Sequence, residues 1–317
     1  MAFLGISLLI VLWLVWNITL VGYRDSATVS ITPNVDDVFD ARCLPIILEH
    51  DEVVEGAIIM VHGFPSTPYT YEEASRIAHE AGYDVFVPLL PGFGTDVKDL
   101  AHTTYAQWYG YLREYYLEKR NHYPRLYVIG TSMGGAMTLD LAQEFSQTDY
   151  APDAVVTIAA PIYLNNLREG FIMSPLSYFA RTFALFMTTL SASVFHGKEE
   201  PNDGDENWIG YKGQFPRAGL SFLGALKRIR RSLGNITVPI LSIHDTQDET
   251  IHFRNQELIL SKVASARKER ITTSMEATHT RHILLMYPSV REELMRQILA
   301  FLHNTSTLSN SRQESKE

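Results

Sequence analysis

The sequence predicts an α/β fold, a doubly wound and mostly parallel sheet, and three observations carry that reading. Short apolar runs such as Ile58-Ile59-Met60-Val61 and Leu126-Tyr127-Val128-Ile129 lack the alternation of a half-solvated strand. Longer helix-like segments separate them, as crossover connections in a parallel sheet require. The turn Gly130-Thr131-Ser132-Met133-Gly134-Gly135 then sits between a strand-like run and a helix-like one. The 317-residue chain is 46% hydrophobic and 20% charged, ordinary values for one large globular core.

Each element follows from these patterns. The first apolar run, 56–61, is a strand, followed by a helix over 71–81 and a strand over 83–90. An aromatic-rich helix over 104–119 leads to the strand at 126–129 and a helix over 136–145. Later strands fall at 154–159, 239–243 and 271–275, with helices over 255–263 and 289–303. The segment 28–50 supplies antiparallel edge strands. Between residues 160 and 238 no strand signal is present. An insertion there stands over the carboxyl ends of the strands, where sites of doubly wound folds lie. A lid over 162–234 is the expectation. The apolar stretch 171–195, with Arg181 its one charge, leaves a second membrane span as the alternative.

The ends of the chain differ from its middle. Residues 3–21 are apolar apart from Ser7, Asn17 and Thr19 and carry no charge. They read as an uncleaved, single-pass membrane anchor at the amino terminus (residues 1–24), its side undetermined. A cleavable signal peptide is the alternative, although no Lys or Arg precedes the run and Asp25-Ser26-Ala27 is a poor cleavage point. The α/β body spans 25–304, and the polar tail 305–317 is expected to be disordered. A net charge of -9 implies no basic face for nucleic acid. The cluster Lys227, Arg228, Arg230 and Arg231 reads as a solvated helix face. Cys43 is the single cysteine, so neither an intramolecular disulfide nor a cysteine metal site is implied. No histidine pair has metal-ligand spacing, so the metal expectation is none.

The chemistry starts at Ser132. A G-x-S-x-G turn lifts a serine hydroxyl off the end of a buried strand, and the following helix dipole favours negative charge beside it. A serine attacks a carbonyl only with a base to take its proton and a third group to orient that base. After the strand at 239–243 come Asp245 and Asp248; Asp248, set further past the strand, has more reach, and Asp245 is the alternative. After the last strand come His279 and His282. His282 directly precedes an apolar segment that can anchor its ring, and His279 is the alternative. The developing oxyanion needs two backbone donors. Met133 supplies one, and Phe64, in His62-Gly63-Phe64-Pro65-Ser66 after the first strand, supplies the other.

His62-Gly63-Phe64, the Gly130 to Gly135 turn, Asp248 and His282, in this order, resemble the α/β-hydrolase superfamily. Pro88-Leu89-Leu90-Pro91-Gly92-Phe93-Gly94 and Trp108 are similar to its next loop and helix. Within it the chain looks most like the bacterial carboxylesterase and monoacylglycerol lipase branch. The resemblance implies a helical lid inserted after the sixth strand. It also implies ester hydrolysis through an acyl-enzyme, with catalytic Ser132, Asp248 and His282, oxyanion donors Phe64 and Met133, and no cofactor. Phe171, Phe179, Phe183 and Phe186 of the lid, together with an anchor, suggest an apolar ester or lipid-derived substrate. A thioesterase, an acyltransferase, a serine peptidase, or a non-catalytic membrane-tethered protein are the other readings.

Overall fold

The computed structural model describes residues 2–25, 31–54, 56–276 and 279–314, with side chains from residue 4 to residue 305. Its central sheet has seven strands. In chain order these are β1 (Ile46–Leu48), β2 (Gly56–Val61), β3 (Asp84–Val87), β4 (Arg125–Thr131) and β5 (Ala154–Ile158), then β10 (Ile240–Asp245) and β11 (Lys268–Thr273). The spatial order is β1-β3-β2-β4-β5-β10-β11. β1 pairs antiparallel with β3, in register Ile46 with Val87, and the remaining neighbours are parallel. Every residue of β2, β3, β5 and β10 is buried, which is why these strands read as unbroken apolar runs.

Helices cover both faces. α1 is Ala2–Thr19, α2 Glu72–Glu80, α3 Val97–His102, α4 Tyr105–His122 and α5 Met133–Phe145. α6 is Ala180–Phe186, α7 Pro216–Ser232, α8 Arg254–Lys262 and α9 Pro288–Glu314. One core layer joins Trp108, Leu139 and Leu226 of α4, α5 and α7 to one sheet face; the other joins Ala74, Met295 and Phe301 of α2 and α9 to the opposite face. α4 starts where Gln107 reaches back to accept from the Thr104 amide at 3.1 Å, half of a capping box. The buried Trp108 donates its Nε1 proton to Thr103 Oγ1 at 2.9 Å.

The insertion between β5 and β10 holds α6 and α7 and also four short strands. β6 (Asn165–Asn166) pairs with β7 (Phe171–Ile172), and β8 (Leu190–Phe195) pairs with β9 (Gly210–Gln214), both antiparallel. The strands at 190–195 and 210–214 escaped a hydropathy reading because they are short, partly exposed and rich in Ser and Gly. The insertion opens after the fifth described strand rather than the sixth, since only β1 of the early edge strands forms among the described residues; 28–30 lie outside them. Within the stretch 171–195, α6 has only seven residues, so no second span forms there.

The expected membrane anchor is overturned. No helix among the described residues is long and apolar enough to cross a membrane. α1 has 18 residues, about 27 Å of rise against a hydrocarbon core of about 30 Å. Its last turns are committed to the insertion instead. Trp13 Nε1 donates to Thr182 Oγ1 at 3.0 Å, and Asn17 Oδ1 accepts from the Thr182 amide at 3.1 Å. Arg181 donates to the carbonyls of Trp16 and Val21 at 3.1 and 2.8 Å, with its guanidinium 4.1 Å from the Trp16 ring centroid. The basic cluster also departs from a solvated face. Arg228 folds onto the buried Asp140 at 2.6 Å, and Arg230 lies 4.2 Å over the Tyr163 ring. At the other end, α9 continues as helix to Glu314 through most of the stretch expected to be disordered; residues 315–317 lie outside the described ones.

α5 crosses the carboxyl end of β2 at very short range. A Cβ at Gly134 would lie 1.9 Å from the Val61 carbonyl oxygen, with backbone on both sides of the contact. Gly134→Ala must therefore push α5 off the sheet, at a cost of about 3 kcal/mol or more. Urea unfolding checks this, and an unchanged midpoint contradicts it.

Candidate active site

β4 delivers Ser132 and α5 carries the chain away from it. Ser132 holds φ 56° and ψ -120°, a strained conformation for a residue with a side chain, and only 8% of it is exposed. Two backbone bonds fix the turn: the Ser132 amide donates to the Ile158 carbonyl at 2.8 Å, and its carbonyl accepts from the Ala136 amide at 3.0 Å. Met133 is the first residue of α5, where helix amides have no partner within the helix. The macrodipole adds partial positive charge at the same point.

The loop after β2 lies against this turn. A Cβ on Gly63 would come within 3.0 Å of Ser132 Cβ, so only glycine lets the two backbones meet. His62, wholly buried, fastens the loop. Its Nδ1 lies 3.1 Å from the Gly63 carbonyl and its Nε2 accepts from the Leu90 amide at 3.2 Å. That pattern assigns the proton to Nδ1 and keeps the ring neutral. The Phe64 ring stands among Phe93, Trp108 and Phe215, with centroids 6.0, 5.9 and 5.9 Å away. The insertion reaches this loop directly, because the Tyr211 amide of β9 donates to the Pro65 carbonyl at 3.0 Å.

Asp248 and His282 are brought into direct contact. The His282 Nδ1 lies 2.7 Å from Asp248 Oδ2, while the other carboxylate oxygen accepts from the amides of Thr250 and Ile251 at 2.7 and 2.9 Å. With its proton on Nδ1, the His282 ring presents an Nε2 lone pair. A second buried histidine, His244, joins the acid: its Nε2 lies 3.2 Å from Asp248 Oδ2 and 3.0 Å from the Ile251 carbonyl. Burial pushes the Asp248 carboxyl up, but the electrostatic pull of the adjoining His282 ring and the hydrogen bonds from His244 and His282 outweigh it. The net shift is well below the usual carboxylate range. Asp248 stays ionised wherever the protein is folded at moderate pH.

The two alternatives are occupied elsewhere. Asp245 accepts from Thr273 Oγ1 at 2.7 Å and from the amides of Gln247 and Met275 at 2.8 and 2.9 Å, tying β10 to β11. His279 stacks on Tyr287 with centroids 3.8 Å apart and faces Asp203 at 3.3 Å. Three of the four phenylalanines singled out in the insertion serve other contacts or none. Phe171 stacks on His252, Phe179 stacks on Trp13, and Phe186 is 80% exposed. The apolar wall around Phe64 includes Phe215, which the sequence reading passed over. His244 was missed as well; its only signal was a histidine four residues before the acid.

With this geometry in view, comparison with known proteins is specific. The model of the family described as serine aminopeptidase, S33, matches residues 52–283. The chain belongs to this family of α/β-hydrolases. It is 26% identical over 215 residues to a thermostable monoacylglycerol lipase of Bacillus sp. (strain H-257), covering 67% of this chain and 78% of that protein. A carboxylesterase of Bacillus subtilis (strain 168) is 23% identical over 218 residues, covering 67% and 80%. The fold is similar to that of a metagenome-derived lipolytic enzyme, with a TM-score of 0.68 at 20% identity over 83% of this chain and 98% of the other. A soluble variant of monoglyceride lipase from Saccharomyces cerevisiae gives 0.63 at 16% identity, over 90% and 97%.

Burial lowers the His62 pKa from 6.5 to about 4. The unfolded chain therefore takes up a proton near pH 6.5 that the folded chain refuses until about pH 4. Stability is full above that window and falls as pH drops through it, by on the order of 3 kcal/mol for this group. Denaturant unfolding between pH 7 and 4 should show a steeper decline for wild type than for His62→Gln; equal slopes would contradict the neutral, buried ring.

Proposed function

We propose that this chain hydrolyses carboxylic esters through an acyl-enzyme on Ser132. Ser132 attacks the carbonyl carbon while His282 Nε2 takes the hydroxyl proton, and Asp248 stabilises the imidazolium that forms. The amides of Phe64 and Met133 hold the oxyanion, which collapses as His282 protonates the departing alcohol. Water, deprotonated by His282, then releases the acid and restores the serine. The observation that carries this reading is the 2.7 Å bond between His282 and Asp248, at the same end of the sheet as a serine on a strained strand-to-helix turn.

The domain plan belongs to the same proposal: a hydrolase body over 25–304, with the insertion over 162–234 acting as a lid. The aromatic wall at Phe64 suits an apolar acyl group, and the names of the two bacterial relatives point to monoacylglycerols and simple esters. The family's description as an aminopeptidase makes amide cleavage the second reading. The triad does not choose the leaving group, so substrates must.

Reaction with a fluorophosphonate probe tests the nucleophile: wild type labels and Ser132→Ala does not. Turnover of p-nitrophenyl esters and monoacylglycerols should fall at least ~10³-fold in His282→Ala and change little in His279→Ala. Equal, modest losses in the two variants would sink the assignment. Faster cleavage of aminoacyl amides than of any ester would favour the peptidase reading.

A further inference from the structure

The opposite end of the sheet holds a cluster that the hydrolytic site does not use. Asp84 opens β3, His50 follows β1, and His79 lies in the last turn of α2. The two imidazoles are stacked, with centroids 3.9 Å apart and planes at 29°. One potential ligand atom from each of His50, His79 and Asp84 falls within 4.8 Å of the others. We propose that these three residues bind one divalent transition-metal cation of the Zn²⁺ type.

The hydrogen bonds around the rings prepare them for this. His50 Nδ1 lies 2.9 Å from Asp84 Oδ1, and His79 Nδ1 lies 3.3 Å from the Tyr83 carbonyl. The Tyr83 carbonyl at His79 Nδ1 draws the proton there and leaves the His79 Nε2 lone pair for a metal, held from behind as ligating histidines are. His50 Nδ1 and Asp84 Oδ1 share one proton across 2.9 Å, and a cation entering between His50, Asp84 and His79 displaces that proton. Asp84 is itself oriented, since its Oδ1 accepts from the His50 amide at 2.9 Å and its Oδ2 from the Tyr123 hydroxyl at 2.7 Å. Two imidazoles and a carboxylate form a borderline-soft donor set that suits Zn²⁺ and leaves a position for water. Ligands of a tetrahedral zinc stand roughly 3.3 Å apart, so closing the set needs a small rotation of side chains. His50, with 30% of its side chain exposed on a surface segment, can make it.

The surroundings favour a cation. An open cavity of about 440 Å³ beside His50 and Asp84 is lined by Glu49, Asp51 and Glu52, with His122 at its edge. The site would pin the segment after β1 to α2 and to the sheet edge. It stands at the amino end of β3, whereas Ser132 follows the carboxyl end of the parallel β4. Zinc bound there acts on the fold rather than on the hydrolytic chemistry.

Calorimetric titration of the untagged, chelator-treated full chain with Zn²⁺ at pH 7.5, with elemental analysis of the gel-filtered product, tests the proposal. One Zn²⁺ per chain is expected, with a raised melting temperature and unchanged ester hydrolysis. His50→Ala and His79→Ala should each weaken binding at least ~10-fold, and Asp84→Asn by ~10–100-fold. Affinity should fall as pH is lowered, because protons compete with the metal for imidazole. The wild-type chain alone gives a second measurement. Co²⁺ should produce a visible d–d absorption that one equivalent of Zn²⁺ bleaches. No uptake by wild type, no cobalt spectrum, or equal uptake by the folded His50→Ala/His79→Ala double variant overturns the site.

Discussion

The close approach of α5 to the carboxyl end of β2 is the constraint on which the rest of the site depends. With Gly134 pressed on the Val61 carbonyl and Gly63 on Ser132, the helix can begin only where the strand ends. The chain must then turn within one residue, and that residue is Ser132 at φ 56°. The strain is held by the bonds from Ser132 to Ile158 and Ala136 and by burial of the whole of β4 beyond its first residue. The same proximity brings the Phe64 loop and the first turn of α5 to one point. The Ser132 turn, the start of α5 with its helix dipole and the loop after β2 therefore meet because of packing between two backbones.

Charge is arranged around this frame with opposite logic on its two sides. Under the Gly63–Phe64 loop, burial keeps His62 neutral, so it acts as a spacer between Gly63 and Leu90 without adding charge. Across the site, Asp248 is buried too, yet two histidines and two amides hold it ionised. An unpaired buried carboxylate would be costly, so His244 and the Thr250–Ile251 turn are as much part of that side as His282. His244 shares its Nε2 proton between the acid and the Ile251 carbonyl, which fixes the turn and the acid together.

Much of the sheet and the candidate site was legible in the sequence, for identifiable reasons. Buried parallel strands write themselves as unbroken apolar runs, and close backbone contact writes itself as glycine at 63, 130 and 134. Reach favoured Asp248 over Asp245, and the apolar segment behind it favoured His282 over His279; the structure pairs Asp248 with His282 and gives Asp245 and His279 other partners. What failed was long-range pairing. The run 3–21 is apolar, but nothing local reveals that Trp13, Asn17 and Trp16 meet Thr182 and Arg181, some 165 residues away. Phe171 and Phe179 looked like a substrate wall until their stacking partners were visible. His50, His79 and Asp84 show no ligand spacing in sequence because α2 and β3 bring them together only in the fold.

The measurement that bears most directly on the central claim is a crystal structure of the chain after reaction with an alkyl fluorophosphonate. The account predicts a phosphonyl group on Ser132 Oγ, with one oxygen about 2.7–3.1 Å from both the Phe64 and the Met133 amide nitrogens, and the alkyl chain against the Phe64 wall. A phosphonyl group on another residue, or an oxygen turned away from both amides with Ser132 modified, would contradict it.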